Sequence, residues 1–328
     1  MDQEKINLRQ VRDFGETFNA SVKLVRQNFK MFLKSLVFIA GPFLLISSIA
    51  GAFYQADAVT MQSRLQSNIL SGYGGNPMDI ILDQFGWTYL IFILASIIAN
   101  LVLVGTVYSF MINYSEKGPG QFTVNDVGNT LIKNVGGILL VFLLLLLLII
   151  IVVFVIAGIS VVLINAVPAL GILFLLGLIF GMIILFPPLM WQLSVVYLVK
   201  MDEGSGVFQS LGKTKDVLRG NFWWTWVIVV CSSIGIGIAG IIFTLPQIAY
   251  QMVLMFSNLR GGGDSEISVP FIIVATICTF CTTLLYSLLY VINGVHYYSL
   301  AEKNDGKGMI ERINEIGSTP NTNVNQQY

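Results

Sequence analysis

The sequence contains little charge. Asp, Glu, Lys and Arg make up only 11% of its 328 residues, whereas hydrophobic residues make up 55%. Ordinary soluble domains carry roughly 25% charged residues. A soluble protein of this length needs more polar surface than this composition supplies. The composition therefore predicts an integral membrane protein.

Histidine and cysteine are also scarce. His296 is the single histidine, and Cys231, Cys278 and Cys281 all lie in apolar runs, which gives no indication of a disulfide framework. One imidazole cannot build an iron site of several histidines or a His-Glu-x-x-His zinc site. We interpret His296 as structural rather than as a ligand or base, and the Cys278-x-x-Cys281 pair as packing residues. The sequence predicts no enzyme, catalytic residue, metal site or cofactor.

The longest uncharged run covers residues 134–199, sixty-six residues without Asp, Glu, Lys, Arg or His. A helix needs roughly 20 apolar residues to cross the hydrocarbon core. The run therefore holds two crossings, 139–163 and 170–198, which are separated by a turn at Asn165-Ala166-Val167-Pro168.

Four further apolar runs predict crossings at about 35–54, 87–114, 224–245 and 268–300. A polar loop, 55–86, separates the first two and includes a short helix near 58–70. Proline removes a backbone donor from a helix and kinks it. We expect a mild kink at Pro42 and a division of the fifth run at Pro246. Three prolines are candidate helix hinges: Pro187, Pro188 and Pro246.

Amphipathic segments precede the hairpins. In residues 6–32 an apolar stripe recurs every three or four positions between basic residues, at Val11, Phe14, Phe18, Val22, Val25, Phe29 and Phe32. Such a stripe suits a helix in the membrane interface, and packing on the helix bundle is a compatible alternative. Segments near 124–135 and 200–222 are similar, the latter with Phe208, Leu211, Leu218 and Phe222 on one face.

The predicted fold is all-α: a polytopic membrane protein with six transmembrane helices as three hairpins, each preceded by a cytoplasmic amphipathic helix. Residues 1–34 form the first amphipathic helix, 35–301 the transmembrane domain, and 302–328 a largely disordered cytoplasmic tail. The junctions indicate an internal repeat, because Val25-Arg26-Gln27-Asn28-Phe29 matches Leu218-Arg219-Gly220-Asn221-Phe222. Ile132-Lys133-Asn134-Val135 matches these two stretches if one residue is deleted from the alignment.

The distribution of cations predicts orientation. With six crossings, sixteen Lys and Arg residues fall on the side of the termini, and only Arg64 and Arg260 fall on the other. The positive-inside rule then places both termini in the cytoplasm, in a bacterial cytoplasmic (inner) membrane. Basic residues near the interface attract anionic lipid. The candidate headgroup contacts are Arg26, Lys30, Lys133, Lys213, Lys215 and Arg219.

Two glycine patterns are interpreted as packing motifs. Gly235-x-Gly237-x-x-Gly240 matches a dinucleotide fingerprint in letters only, since no strand precedes it. Small residues in membrane helices, as in Gly177-x-x-x-Gly181, allow close approach within the chain or between chains.

The cytoplasmic segment Val207-Phe208-Gln209-Ser210-Leu211, followed by Leu218-Arg219-Gly220-Asn221-Phe222-Trp223 at the start of a crossing, resembles a six-helix membrane-domain family. That family occurs fused to glycerophosphodiester phosphodiesterases and as free-standing bacterial membrane proteins. The resemblance implies a membrane module across most of residues 10–300. It implies no activity, because the soluble catalytic domain of the fused enzymes is missing.

The crossings carry no Asp, Glu, Lys or Arg, which argues against a proton-coupled carrier. The leading hypothesis is a non-enzymatic scaffold or accessory subunit in membrane organisation or transport. The alternative is a permease or lipid-handling transporter, with Asn100 and Gln192 lining its path. Expected partners are membrane lipids and a membrane protein or a second copy of the chain, with no nucleic acid. An intramembrane enzyme using the acids of the 55–86 loop, Asp57, Asp79 and Asp83, ranks third.

Overall fold

The structure is a computed structural model that describes residues 5–70, 86–259 and 269–306. Throughout these ranges the regular structure is helical. The helices are α1 Phe14–Gln27, α2 Phe29–Ser35, α3 Gly41–Leu70, α4 Trp87–Lys117, α5 Val124–Ala166, α6 Pro168–Glu203, α7 Val207–Leu218, α8 Phe222–Leu259 and α9 Val269–Asp305.

Six of the helical stretches are long and apolar enough to cross a membrane, namely 29–59, α4, α5, α6, α8 and α9. They pack in sequence as three hairpins, α3 with α4, α5 with α6, and α8 with α9, and α9 also packs on α3. The all-α polytopic fold is confirmed. The predicted turn of the central hairpin is also present: α5 ends at Ala166, and Pro168 opens α6.

Close packing concentrates at one end of the bundle. There the last turns of α4, α6 and α9 bury their largest side chains, and residues 5–13 lie against them. We call this the basic end, because Arg9, Arg12 and Lys213 lie there in contact with these helices. Away from it, the α5–α6 hairpin exposes apolar side chains on most sides, which lipid would cover.

The amphipathic helices bury a different face from the one their large apolar residues predict. Helix α1 buries Thr17, Ala20, Ser21 and Leu24, while Val22 is 62% exposed and Phe29, at the start of α2, is 55% exposed. Helix α7 buries Val207, Ser210, Thr214 and Val217, while Phe208 is 77% exposed. Small residues let each helix approach the bundle closely. Phe29 and Phe208 remain on the outside, where lipid can receive them, whereas Phe14 and Phe18 are half-buried against α8 and α9, and Phe32 is buried.

The middle amphipathic segment is not a separate helix, since it forms the first turns of α5. The three asparagines of the predicted repeat nevertheless make the same bond. Asn28, Asn134 and Asn221 each donate from Nδ2 to the carbonyl four residues earlier, at 3.1, 2.9 and 3.1 Å. The helix breaks at the first and third asparagine and continues through the second.

Prolines alter the helices less than their sequence positions suggest. A π-helical turn, Leu36–Ala40, precedes Pro42 and accommodates its ring within a continuous span. Helix α6 continues through Pro187 and Pro188, and α8 continues through Pro246. The expectation that Pro246 divides the fifth apolar run is therefore wrong. Helix α3 likewise extends to Leu70 across the first part of the predicted 55–86 loop. Asp79, Asp83 and most of the predicted tail lie outside the described residues.

Candidate functional site

A cavity of about 580 Å³, which we call the lateral cavity, lies between α4, α5, α6, α8 and α9. Its volume falls within the range of roughly 300–1,000 Å³ typical of small-molecule sites. Most of its wall is apolar and comes from α5, α6 and α8. The apolar lining includes Phe142, Leu145, Ile149, Phe186, Met190, Val229, Val230 and Ile234.

Polar side chains from three helices meet on one wall of the cavity. Tyr290 donates from its hydroxyl to Oδ1 of Asn100 at 3.3 Å. Asn293 donates from Nδ2 to Oγ of Ser194 at 3.2 Å, and Ser194 donates in turn to the carbonyl of Trp191 at 2.8 Å. The wall therefore has a fixed polar patch within an otherwise apolar space.

One acceptor of this patch has no partner. Asn293 is 3% exposed and lines the cavity, and its Oδ1 has no hydrogen-bond partner within the described part of the chain. A buried acceptor without a partner costs free energy, but this oxygen has almost no accessible surface, so a donor on a bound molecule would reach it only after the Asn293 side chain rotates. As placed, Asn293 fixes Ser194 on the cavity wall, and a change of its rotamer would turn the free acceptor toward a bound molecule.

His296 lies behind this wall rather than in it. It is fully buried, its Nε2 is 3.1 Å from Oγ1 of Thr225, and its ring meets Trp191 edge to face at 5.5 Å between centroids. It does not line the cavity. These contacts are those of a packed structural histidine.

The cavity opens on the side of the helix bundle, where lipid would surround the protein. Ile149, Phe186 and Ile234 stand at its rim and are 48%, 50% and 57% exposed. A molecule dissolved in the acyl region would reach the polar patch without crossing the basic end. The opening is therefore suited to a ligand that partitions into lipid.

A hydrogen bond beside the cavity compensates for Pro187. Proline at position 187 leaves the carbonyl of Ile183 without its usual helical donor. The indole Nε1 of Trp226 on α8 lies 3.4 Å from that oxygen and donates to it. Because no water is available in lipid, this contact satisfies the carbonyl and ties α8 to the proline-containing turn of α6.

The sequence-predicted site residues are only partly brought together. Asn100 and Pro187 line the cavity, whereas Gln192 and Pro188 do not, although Pro188 is buried in the same helix. Pro246 is exposed far along α8. Ser194, Tyr197 and Tyr290 were missed, since isolated hydroxyl groups in apolar runs carry no distinctive sequence pattern. The hinge roles of the three prolines and the path roles of Asn100 and Gln192 stay predictions.

The candidate headgroup residues separate into two groups. Lys213 pairs with Glu203 and lies 3.2 Å from Asp305, so it joins α6, α7 and α9. Burial tends to lower the pKa of Lys213, but the two carboxylates outweigh that effect and hold its pKa above the usual value. The others, Arg26, Lys30, Lys133, Lys215 and Arg219, are exposed.

The cavity wall offers amide, hydroxyl and apolar groups that can hold a molecule. Among the described residues, no group of three or more His, Cys, Asp or Glu could hold a metal ion. Cys278 is buried among apolar neighbours and forms no disulfide. Comparisons of the chain with protein-family models, curated proteins and solved structures found no match.

Proposed function

We propose that this integral membrane protein is non-enzymatic and that it binds and handles an amphipathic, lipid-class molecule in its lateral cavity. The observation that carries the proposal is the polar patch of Asn100, Ser194, Tyr290 and Asn293, which runs from the exposed Asn100 to the buried Asn293 in an apolar space open to lipid. A few fixed polar groups in an apolar site are the usual means of orienting such a ligand.

The cation distribution supports a bacterial cytoplasmic membrane with both termini in the cytoplasm. Arg9, Lys213 and Lys303 lie together at the basic end, which would then face the cytoplasm. A membrane-impermeant thiol reagent applied to intact cells tests this orientation. It should label a cysteine introduced at position 75 and leave one at position 320 unlabelled.

Photolabelling tests the proposed ligand class. The full-length protein is reconstituted with a phospholipid that carries a diazirine in its acyl chain, and labelled peptides are mapped by mass spectrometry. Labelling should concentrate on cavity peptides of α6 and α8. Val230→Trp fills the cavity and should reduce that labelling several-fold.

Val227→Trp is the matched control, because Val227 lies one turn earlier on α8, is exposed and does not line the cavity. It should leave the labelling pattern unchanged. Even labelling of all exposed apolar helices, insensitive to Val230→Trp, would remove the proposal.

A scaffold or accessory subunit is the second candidate, and the projecting α5–α6 hairpin favours it. Apart from the adjoining backbone of the same helix, no described atom lies within 4 Å of the position that a Cβ would take at Gly177 or Gly181, so this small-residue face is not used within the described chain. A partner recovered with the wild type from native membrane discs, and lost from a Gly177→Leu/Gly181→Leu variant, would favour a scaffold instead.

A further inference from the structure

A second apolar space lies on another side of α8, away from the lateral cavity. This groove, about 600 Å³ in volume, runs between α1 and the pair α8–α9. Phe18, Val22 and Val25 line one wall, and Gly235 and Ile236 belong to the other. It follows α8 from residue 232 to 239, a rise of about 10 Å. A segment of an extended hydrocarbon chain fits this shape.

A basic cleft adjoins the groove. It measures about 840 Å³, and its lining includes Lys5, Arg26, Lys30 and Lys117 but no described Asp or Glu. Arg26 and Phe29 line both spaces, so the cleft and the groove meet at these two residues. Because these two residues border both spaces, a cationic region and an apolar region lie next to each other.

Two of the four cations are already engaged. Lys117 pairs with Asp126 at 2.8 Å, and Lys5 donates from Nζ to the carbonyl of Ser115 at 2.6 Å. Arg26 and Lys30 are exposed, and within the described ranges neither has a hydrogen bond or ion pair. The junction between cleft and groove therefore offers two uncompensated positive charges.

We infer that this junction binds one anionic glycerophospholipid, with its phosphate on Arg26 and Lys30 and one acyl chain in the groove between α1 and α8–α9. A guanidinium group binds phosphate oxygens in a bidentate manner, and a nearby ammonium adds a second charge. Phe29, which is 55% exposed, stands where the headgroup region would give way to the acyl region. The inference is independent of the proposed function, because it concerns a different site.

Charge complementarity selects this occupant over others. A zwitterionic lipid would bring a positive choline or ethanolamine group toward an already cationic cleft, which like-charge repulsion opposes. A free phosphate would use the cleft and leave the groove empty. An anionic phospholipid uses both parts of the site.

A binding titration tests the inference on the full-length protein. The purified protein in dodecyl maltoside micelles is titrated with fluorescent phosphatidylglycerol and, separately, with phosphatidylcholine that carries the same label. The wild type should bind phosphatidylglycerol more tightly. Because each well-placed cation contributes about fivefold, Arg26→Gln/Lys30→Gln should weaken phosphatidylglycerol binding roughly 25-fold and remove the preference.

Lys23→Gln/Lys34→Gln is the charge-matched control, since both lysines are exposed on the same segment and line neither space. It should bind as the wild type does. Gly235→Leu fills the groove without changing charge and should weaken both lipids. Gly237→Leu, also in open space but outside the groove, should weaken neither.

Three results would overturn the inference. The first is equal affinity of the wild type for the two lipids, and the second is a Gly235→Leu variant that binds phosphatidylglycerol normally. The third is displacement of the probe by inorganic phosphate alone, which would identify a free-anion site. Thermal unfolding of each variant verifies that the protein remains folded.

Discussion

Single side chains in this protein satisfy backbone groups that lipid would leave without a partner. Trp226 donates to the carbonyl of Ile183, which Pro187 has deprived of its donor. At the break after α7, the Asn221 amide bonds the carbonyl of Val217, because the backbone N–H of Asn221 has moved to Leu218; at the break after α1, the carbonyl of Leu24 accepts from both the backbone N–H and the side chain of Asn28. An unsatisfied carbonyl in hydrocarbon is costly, so each of these bonds contributes to stability as well as to position.

Replacement of Trp226 tests this role. Trp226→Phe keeps an aromatic ring but removes the indole donor, so we expect a loss of about 1 kcal/mol in the free energy of unfolding. Trp223→Phe is the control, because Trp223 is 65% exposed and its indole N–H makes no hydrogen bond within the described part of the chain. Thermal unfolding in detergent measures both. Equal melting temperatures for the two variants would contradict the assigned bond.

Ion pairs hold several helices together at the basic end. Lys213 on α7 contacts Glu203 at the end of α6 and Asp305 at the end of α9, and Arg9 contacts Asp202 at 2.9 Å. The side chains of this network are partly shielded, with Lys213 only 22% exposed. A network of this kind fixes the relative positions of the helices more effectively than an isolated surface pair.

We therefore expect Lys213→Met to lower the free energy of unfolding by about 1 kcal/mol, as the two carboxylates lose their common partner. Lys215→Met is the matched control, because Lys215 lies two residues away on α7 and is exposed. It should leave the melting temperature unchanged. Identical effects of the two substitutions would show that Lys213 acts only through net charge.

The helices show where sequence reasoning succeeds and where it stops. The length of each apolar run sets the six spans, and Pro168 marks the central turn, so both were predictable. The buried faces of α1 and α7 were not. In water the large apolar side chains would turn inward, whereas in lipid a side chain such as Phe208 has no such preference. The small residues Ser210 and Thr214 of α7 are buried against the bundle instead.

The lateral cavity forms only where five helices associate, and no short stretch of the sequence predicts which helices associate. Asn100 and Asn293 were visible in the sequence as polar residues within apolar runs, but their common wall with Ser194 and Tyr290 arises only when α4, α6 and α9 meet. The candidate site was therefore predictable as single residues and not as a group. Its apolar rim, where Ile149, Phe186 and Ile234 are exposed, and its polar patch carry the proposed role.

A structure of the protein in discs of its native membrane, determined by electron cryomicroscopy, tests this account most directly. Elongated lipid-like density should lie between α6 and α8, with a polar end beside Asn293 and Ser194. A cavity closed by side chains, or open but free of elongated density, would contradict it.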